Sequence, residues 1–331
     1  AARCGQVKSV PSPFEILKGN YTYHNELNTE SYAVESPDAI EPTKGAYTIM
    51  RYTENNLSAG IAYRGSYKTI VLGFPFETIR TEEERNELMD NILQFFNTTN
   101  KTMIPTISRF QLYISILLLL LFPKNMQAQQ ERFRFVQLTD IHFSPGNPNP
   151  TEDLLRSVAQ INATDSIDFV LVTGDLTDNG DRTCMEHVKS CLDLLKVPYH
   201  VILGNHETKW SESGCTAFSE IYGNERFSFM HKGFLFLGFN SGPLMRMAYG
   251  HVVPQDIEWM TAEMEKVGKD TPIILVTHYP MLEGDVDNWY DVTDAVRPYN
   301  VRLFIGGHYH RNRRLSYDGI PGILMRSNLR D

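Results

Sequence analysis

"DFVLVTGD", residues 168–175, is an apolar run that stops abruptly on a glycine and a carboxylate. Phe169 to Val172 leave no polar face, which suits a strand covered on both sides. "RFRFVQLTD" (132–140) repeats the plan upstream and ends at Asp140, with Ile141 and His142 after it. Downstream, "YHVILGN" (199–205) ends at Asn205, "PIILVTH" (272–278) at His278, and "VRLFIGGHYH" (301–310) at His308 and His310. Helical spacing fills the gaps: "TEDLLRSVAQINA" (151–163), "RTCMEHVKSCLDLLK" (182–196) and "PQDIEWMTAEMEKVG" (254–268), the last with Pro254 in its first turn. "RFSFMH" and "FLFLGFN" read as a hairpin or adjacent strands. Alternating strands and helices predict an α/β fold with a largely parallel sheet and helices outside it. In such sheets function collects at the carboxyl ends of the strands.

Five strands each deliver Asp, Asn or His at that end. A lone histidine after a strand is more often a turn residue than a ligand, but five such ends in succession point to a metal site. Imidazole, carboxylate and amide donors together suit borderline divalent ions such as Mn, Fe or Zn better than Ca or Mg. The candidates are Asp140, His142, Asp175, Asn205, His278, His308 and His310. They are too many for one tetrahedral ion and about right for two ions sharing a bridging carboxylate.

These blocks resemble the calcineurin-like metallophosphoesterase superfamily, whose pattern is D-x-H, G-D, G-N-H-D/E, H and G-H-x-H. Here they stand as "DIH" (140–142), "GD" (174–175), "GNHE" (204–207), "TH" (277–278) and "GHYH" (307–310), in order, within residues 133–331. The resemblance implies a four-layer α/β/β/α sandwich. It implies a first metal at Asp140, His142 and His310, a second at Asn205, His278 and His308, and Asp175 between them. His206 would face the substrate without ligating. Two ions ~3.5–4 Å apart can hold a hydroxide at neutral pH and clamp phosphoryl oxygens, with His206 stabilising charge or protonating the leaving group. The implied activity is hydrolysis of a phosphomonoester or phosphodiester. The alternative is a catalytically inactive binding scaffold of the same fold; such members usually lose ligands, and none is missing here.

Other positions are less specific. Asp178, in "GDLTD", matches an acidic position of family members acting on cyclic nucleotides and related diesters, or is a capping or turn residue. Arg246 and His251 are candidates for the substrate edge, against a solvated-loop reading for each. Arg311, Arg313 and Arg314 follow the last ligands and would steer an anion or simply be solvated. Glu207 reads as a supporting residue, and His187, His200 and His231 as structural. Trp210, Tyr249, Trp289 and Tyr290 lie in the stretches 208–255 and 281–290, where they would stack on a base or pack. The chain ends soon after the last ligand, so the second sheet is expected to be short of strands.

Of 331 residues, 42% are hydrophobic and 21% charged, ordinary for a globular protein. The net charge of -9 argues against a general nucleic-acid or anionic-membrane binder; the expected partner is a small phosphoester. Four cysteines without CxxC spacing exclude a zinc ribbon, and Cys184 and Cys191, ~10 Å apart along one helix, are too distant to bridge. Residues 103–128 have the layout of a signal peptide: Arg109, an apolar run Leu112–Phe122, then "MQA", with a cut expected after Ala128. Eleven apolar residues are short of the ~20 that span a bilayer. The expectation is a secreted or periplasmic phosphoesterase domain at 129–331, with no membrane partner unless 112–122 stays as an uncleaved anchor. Residues 1–102 read as a separate small α/β or α+β segment of unknown function, a fused fragment. "AYTIMRYT", "AGIAYRG" and "YKTIVLGFPF" look like its strands, and Thr81 with Glu84 like a capping box opening a helix with Leu88, Met89, Ile92, Leu93, Phe95 and Phe96 on one face.

Overall fold

The structure, a computed structural model, describes residues 4–14, 17–29, 31–43, 45–98, 132–243 and 248–329. The signal-peptide-like segment 103–128 lies outside the described residues.

The amino-terminal unit is a five-stranded antiparallel sheet: β1 (Gln6–Ser9), β2 (Asn20–Thr22), β3 (Tyr47–Tyr52), β4 (Ser58–Arg64) and β5 (Lys68–Leu72), in the order β2-β1-β3-β4-β5. Helix α1 (Glu82–Asn97) covers it, and Thr81 caps the helix by accepting from the Glu84 amide at 3.1 Å. The buried stripe is narrower than the sequence reading had it. Leu88 and Phe95 are buried and Ile92 packs with them, while Met89, Leu93 and Phe96 face outward. Positions i, i+4 and i+7 share a stripe, and the i+1 positions beside it rotate about 100° away.

The larger unit has two sheets. Strands β6 (Phe135–Leu138), β7 (Phe169–Thr173) and β8 (Tyr199–Ile202) are parallel, in that order. The second sheet contains β9 (Phe227–His231), β10 (Phe234–Gly238), β11 (Ile273–Val276), β12 (Val301–Gly306), β13 (Arg313–Tyr317) and β14 (Ile320–Leu324), ordered β13-β14-β12-β11-β10-β9. Its four inner strands are parallel, and β9 and β13 run antiparallel at the edges. Two of these strands, β13 and β14, follow the last candidate ligand, His310.

Helices α2 (Asn149–Ala163), α3 (Arg182–Leu192), α4 (Asn205–Lys209) and α5 (Thr216–Tyr222) lie in the half that carries the first sheet; α6 (Pro254–Val267) and α7 (Trp289–Val296) lie in the other. Leu154, Val158, Val188 and Phe218 pack with Val170 and Val172 of β7. Met260, Met264, Val292 and Val296 pack with Leu235 and Leu275 of the second sheet. Between the sheets, Phe169, Leu171 and Ile202 meet Phe236, Ile274, Val276 and Ile305. Alternate residues of β7 thus enter different cores, as the two-residue strand period requires. The result is an α/β/β/α sandwich. Its four cysteines are free thiols. Among the described residues, no helix is long and apolar enough to cross a membrane.

Trp289, expected on a loop, opens α7 and is buried in the core behind the second sheet. Its burial excludes it as a stacking platform for a base.

Candidate metal centre

The carboxyl ends of β6, β7, β8, β11 and β12 meet at one rim. The loops after β6 and β7 are zipped by backbone bonds: the amides of Asp140, His142 and Phe143 donate to the carbonyls of Gly174, Asp175 and Leu176, each at 3.0 Å. Asp140, fully buried, accepts from the Thr139 hydroxyl at 2.7 Å and from the His308 amide at 3.2 Å, which ties the first sheet to the second. The glycines before Asp175 and Asn205 are required by close approach. A side chain at Gly204 would begin 2.2 Å from Asp175 Oδ1, and one at Gly174 would begin 2.7 Å from His278 Nδ1.

Three groups of side chains each bring their donor atoms within 4.8 Å of one another: Asp140, His142 and His310; His142, Asp175 and His206; and Asp175, His278 and His308. Asp175 belongs to two of them. Its Oδ2 lies 3.1 Å from His278 Nε2 and 3.8 Å from Nε2 of both His142 and His206, while Oδ1 accepts from the His206 amide at 3.0 Å. Asn205 Oδ1 is 3.1 Å from His278 Nε2. His310 Nε2 is 3.2 Å from Asp140 Oδ1 and 3.0 Å from His142 Nε2. The structure therefore brings all seven sequence candidates and His206 to one place.

Hydrogen bonds at the far side of the rings decide which nitrogen faces the cluster. His278 Nδ1 lies 2.7 Å from the Thr173 carbonyl and His206 Nδ1 2.6 Å from the Asp178 carbonyl. A carbonyl can only accept, so each Nδ1 carries a proton and Nε2 faces inward. His142 Nδ1 makes the same kind of contact with Asp178 Oδ1 at 3.1 Å. Asp178 thus orients two histidines, one through its carboxylate and one through its backbone.

The charges are strongly coupled. Burial works against ionisation of Asp175, yet the charge and hydrogen bond of His278 hold its carboxyl well below the usual range. Burial likewise opposes the charged form of His278, but Asp175 lifts it to about 9. Burial, with the charge of His278, pushes His308 down to about 4. Five of the candidate ligands, Asp140, His142, Asp175, His308 and His310, have left-handed backbones with φ between 50° and 72°. Non-glycine residues rarely adopt this region, and they cluster there at functional sites. The donor set of imidazoles, carboxylates and an amide, with inward Nε2 atoms and a shared carboxylate, fits divalent cations.

Glu207 does more than its sequence position shows. It is fully buried; Oε1 accepts from the amides of Leu176 (3.0 Å) and Thr177 (3.1 Å), and Oε2 from the amide of Gly204 (2.9 Å). It fastens the loop after β7 to the loop after β8. Tyr279, next to His278, was also unmarked by the sequence reading; its ring lies 4.0 Å from that of His308. Tyr309, between two ligands, donates to Asp285 at 2.6 Å. His251 pairs with Asp287 at 2.7 Å and belongs to none of the three groups. Arg246 lies outside the described residues. Arg311, Arg313 and Arg314 are exposed, the last two on β13.

Residues 133–312 match the family model described as calcineurin-like phosphoesterase. Among curated relatives, a 3',5'-cyclic-nucleotide phosphodiesterase of Nostoc sp. is 23% identical over 54% of this chain and 71% of its own length. A probable glycerophosphodiester phosphodiesterase of Arcobacter nitrofigilis is 28% identical over 44% of this chain and 57% of its own. Among solved structures, a purple acid phosphatase of yellow lupin covers 61% of this chain and 45% of its own, with 16% identity and a TM-score of 0.44. The family model spans more than half of the 331 residues, and the chain belongs to the calcineurin-like phosphoesterases, a family of phosphoric ester hydrolases.

Proposed function

We propose that the protein hydrolyses a small phosphoester, a diester or a monoester, with two divalent cations drawn from Mn, Fe and Zn. The observation that carries this reading is two adjoining groups of metal-competent side chains at one rim, Asp140/His142/His310 and Asp175/His278/His308, with His142 Nε2 3.8 Å from Asp175 Oδ2 between them. Asp140, His142 and His310 would hold one cation, Asn205, His278 and His308 the other, and Asp175 both. When bound, such a pair supplies a nucleophilic hydroxide at neutral pH and offsets phosphoryl charge.

The chain's own contribution centres on His206. Its Nδ1 proton is held by the Asp178 carbonyl, and Nε2 faces Asp175 at 3.8 Å from within the rim. Protonated at Nε2, it can hydrogen-bond a developing oxyanion or give the proton to the leaving oxygen. Asp178 sets the angle of that ring and of His142. The relatives named as phosphodiesterases support a diester as the first substrate to try. Every ligand position is filled, which weighs against a non-catalytic scaffold. The charge of -9 supports a small substrate rather than nucleic acid. The leader-like run at 103–128 supports a secreted or periplasmic location, checked by fractionating cells that express the chain.

The test is hydrolysis of chromogenic phosphodiesters and monoesters with added Mn, with and without chelator, alongside elemental analysis. Chelator should abolish turnover, and re-addition of Mn should restore it. A folded protein that retains no transition metal, or that turns over unaffected by chelator, overturns the proposal.

A further inference from the structure

The strongest feature outside the metal centre is an arginine that leaves its own unit. Arg51 lies on β3 of the amino-terminal sheet, and its side chain is completely buried. Its Nε and Nη2 donate to the two carboxylate oxygens of Asp294, at 3.1 and 2.8 Å, and Nη2 also donates to Asp318. Nη1 returns to the Asn56 carbonyl at 2.9 Å, and the Trp289 ring lies 5.1 Å from the guanidinium. Trp289 and Asp294 belong to α7, and Asp318 to the turn between β13 and β14. The two units also meet beside the socket: the Gly319 amide donates to the Glu41 carboxylate at 3.1 Å, and a side chain at Gly319 would collide with the Pro42 carbonyl. Leu57 packs against the cores of both units.

A guanidinium removed from water is costly unless its donors are matched, and a forked pair with a carboxylate is the arrangement that matches them. A strand arginine with a free surface nearby would extend its head to solvent. Here it is buried because the socket, two carboxylates 10% and 7% exposed, belongs to the other unit. The dependence is mutual, since withdrawing Arg51 deprives the Asp294 carboxylate of its forked guanidinium partner. The socket is also joined to the metal rim. The stretch from Tyr279 to Asn288 connects the ligand His278 to α7 and carries Asp285, the partner of Tyr309.

We propose that residues 4–98 are a docked partner of the phosphoesterase unit, held by Arg51 in the Asp294/Asp318 socket, and that the two stay associated when the segment joining them is cut.

The experiment uses the full chain with a sequence-specific protease site placed between residues 103 and 128, cleaved after purification. At micromolar concentration the two pieces should co-elute as one species in size-exclusion chromatography. Breaking a buried ion pair by removing one partner weakens association at least ~100-fold, so Arg51→Ala should release the pieces, and Arg51→Asp with Asp294→Arg should restore part of the affinity. Separation of the unsubstituted pieces, or co-elution of the Arg51→Ala pieces with unchanged affinity, overturns the proposal. Should Arg51→Ala fail to fold, Arg51→Lys keeps the charge and loses the fork. In the uncleaved chain it should speed amide hydrogen exchange across α7, and exchange identical to the unsubstituted protein would equally defeat the proposal.

Discussion

Glu207→Ala tests whether the two metal loops are held together by one side chain. The carboxylate satisfies three buried amides, those of Leu176, Thr177 and Gly204. Each buried donor left without an acceptor costs about 1 kcal/mol or more, so the three contribute about 3 kcal/mol. The vacated volume adds about 1 kcal/mol. A total of about 4 kcal/mol, at 2–4 °C per kcal/mol for a domain of this size, lowers Tm by about 8–16 °C. The assay is thermal unfolding of the chelated protein at pH 6. A fall of less than about 3 °C would refute the reasoning, because it would mean that these amides find other partners. Glu207→Gln separates contacts from charge. Burial, then the neighbouring Asp175, push the Glu207 carboxyl up to about 7. A raised pKa means that Glu207 contributes stability below about pH 4.5 that is lost as pH rises through about 7. Metal-free protein should therefore lose part of its stability between about pH 4.5 and 7, and the Gln variant should lack that part of the slope.

His206→Asn should lower kcat by ~10²–10⁴-fold with metal content unchanged; equal loss of metal would show that the ring holds a cation rather than acting on substrate. Asp175→Asn should reduce retained metal at both positions, read by elemental analysis, and a variant with full metal content would remove the shared-carboxylate arrangement. In the metal-free protein, burial opposes the charge on His278 but Asp175 raises its pKa to about 9. That contribution is complete below about pH 6.5 and disappears as pH rises through about 9, so Tm should fall over that range in the parent and more shallowly in His278→Gln. A parent curve flat from pH 7 to 10 would contradict the ion pair.

The metal rim was legible in the sequence because two independent signals coincide there. Buried strands announce themselves by continuous apolar runs, and the residues that follow are of types with few other reasons to stand in series. Helix α7 was less visible. Its buried face, Trp289, Val292, Thr293 and Val296, has helical spacing, but it begins inside a stretch read as a loop. Strands β1 and β2 are too short, at four and three residues, to show alternation. Arg51 in "TIMRYT" looks like an outward polar residue of a strand, since its partners lie more than two hundred residues away. The link between Glu207 and two separate loops is tertiary in the same sense.

The left-handed backbones at Asp140, His142, Asp175, His308 and His310 were invisible for a different reason: none is a glycine. Each such residue costs about 1–2 kcal/mol relative to ordinary backbone, and local sequence supplies nothing to offset it. The compensation lies in bonds that cross between loops and sheets. The amides of His142 and Phe143 are taken up by the loop after β7, the His308 amide by Asp140, and the amides beyond Asp175 by Glu207. The strain and its compensation are therefore one feature of the fold: the strand ends turn sharply enough to aim seven side chains inward, and the same turns release the backbone amides that lock neighbouring loops together.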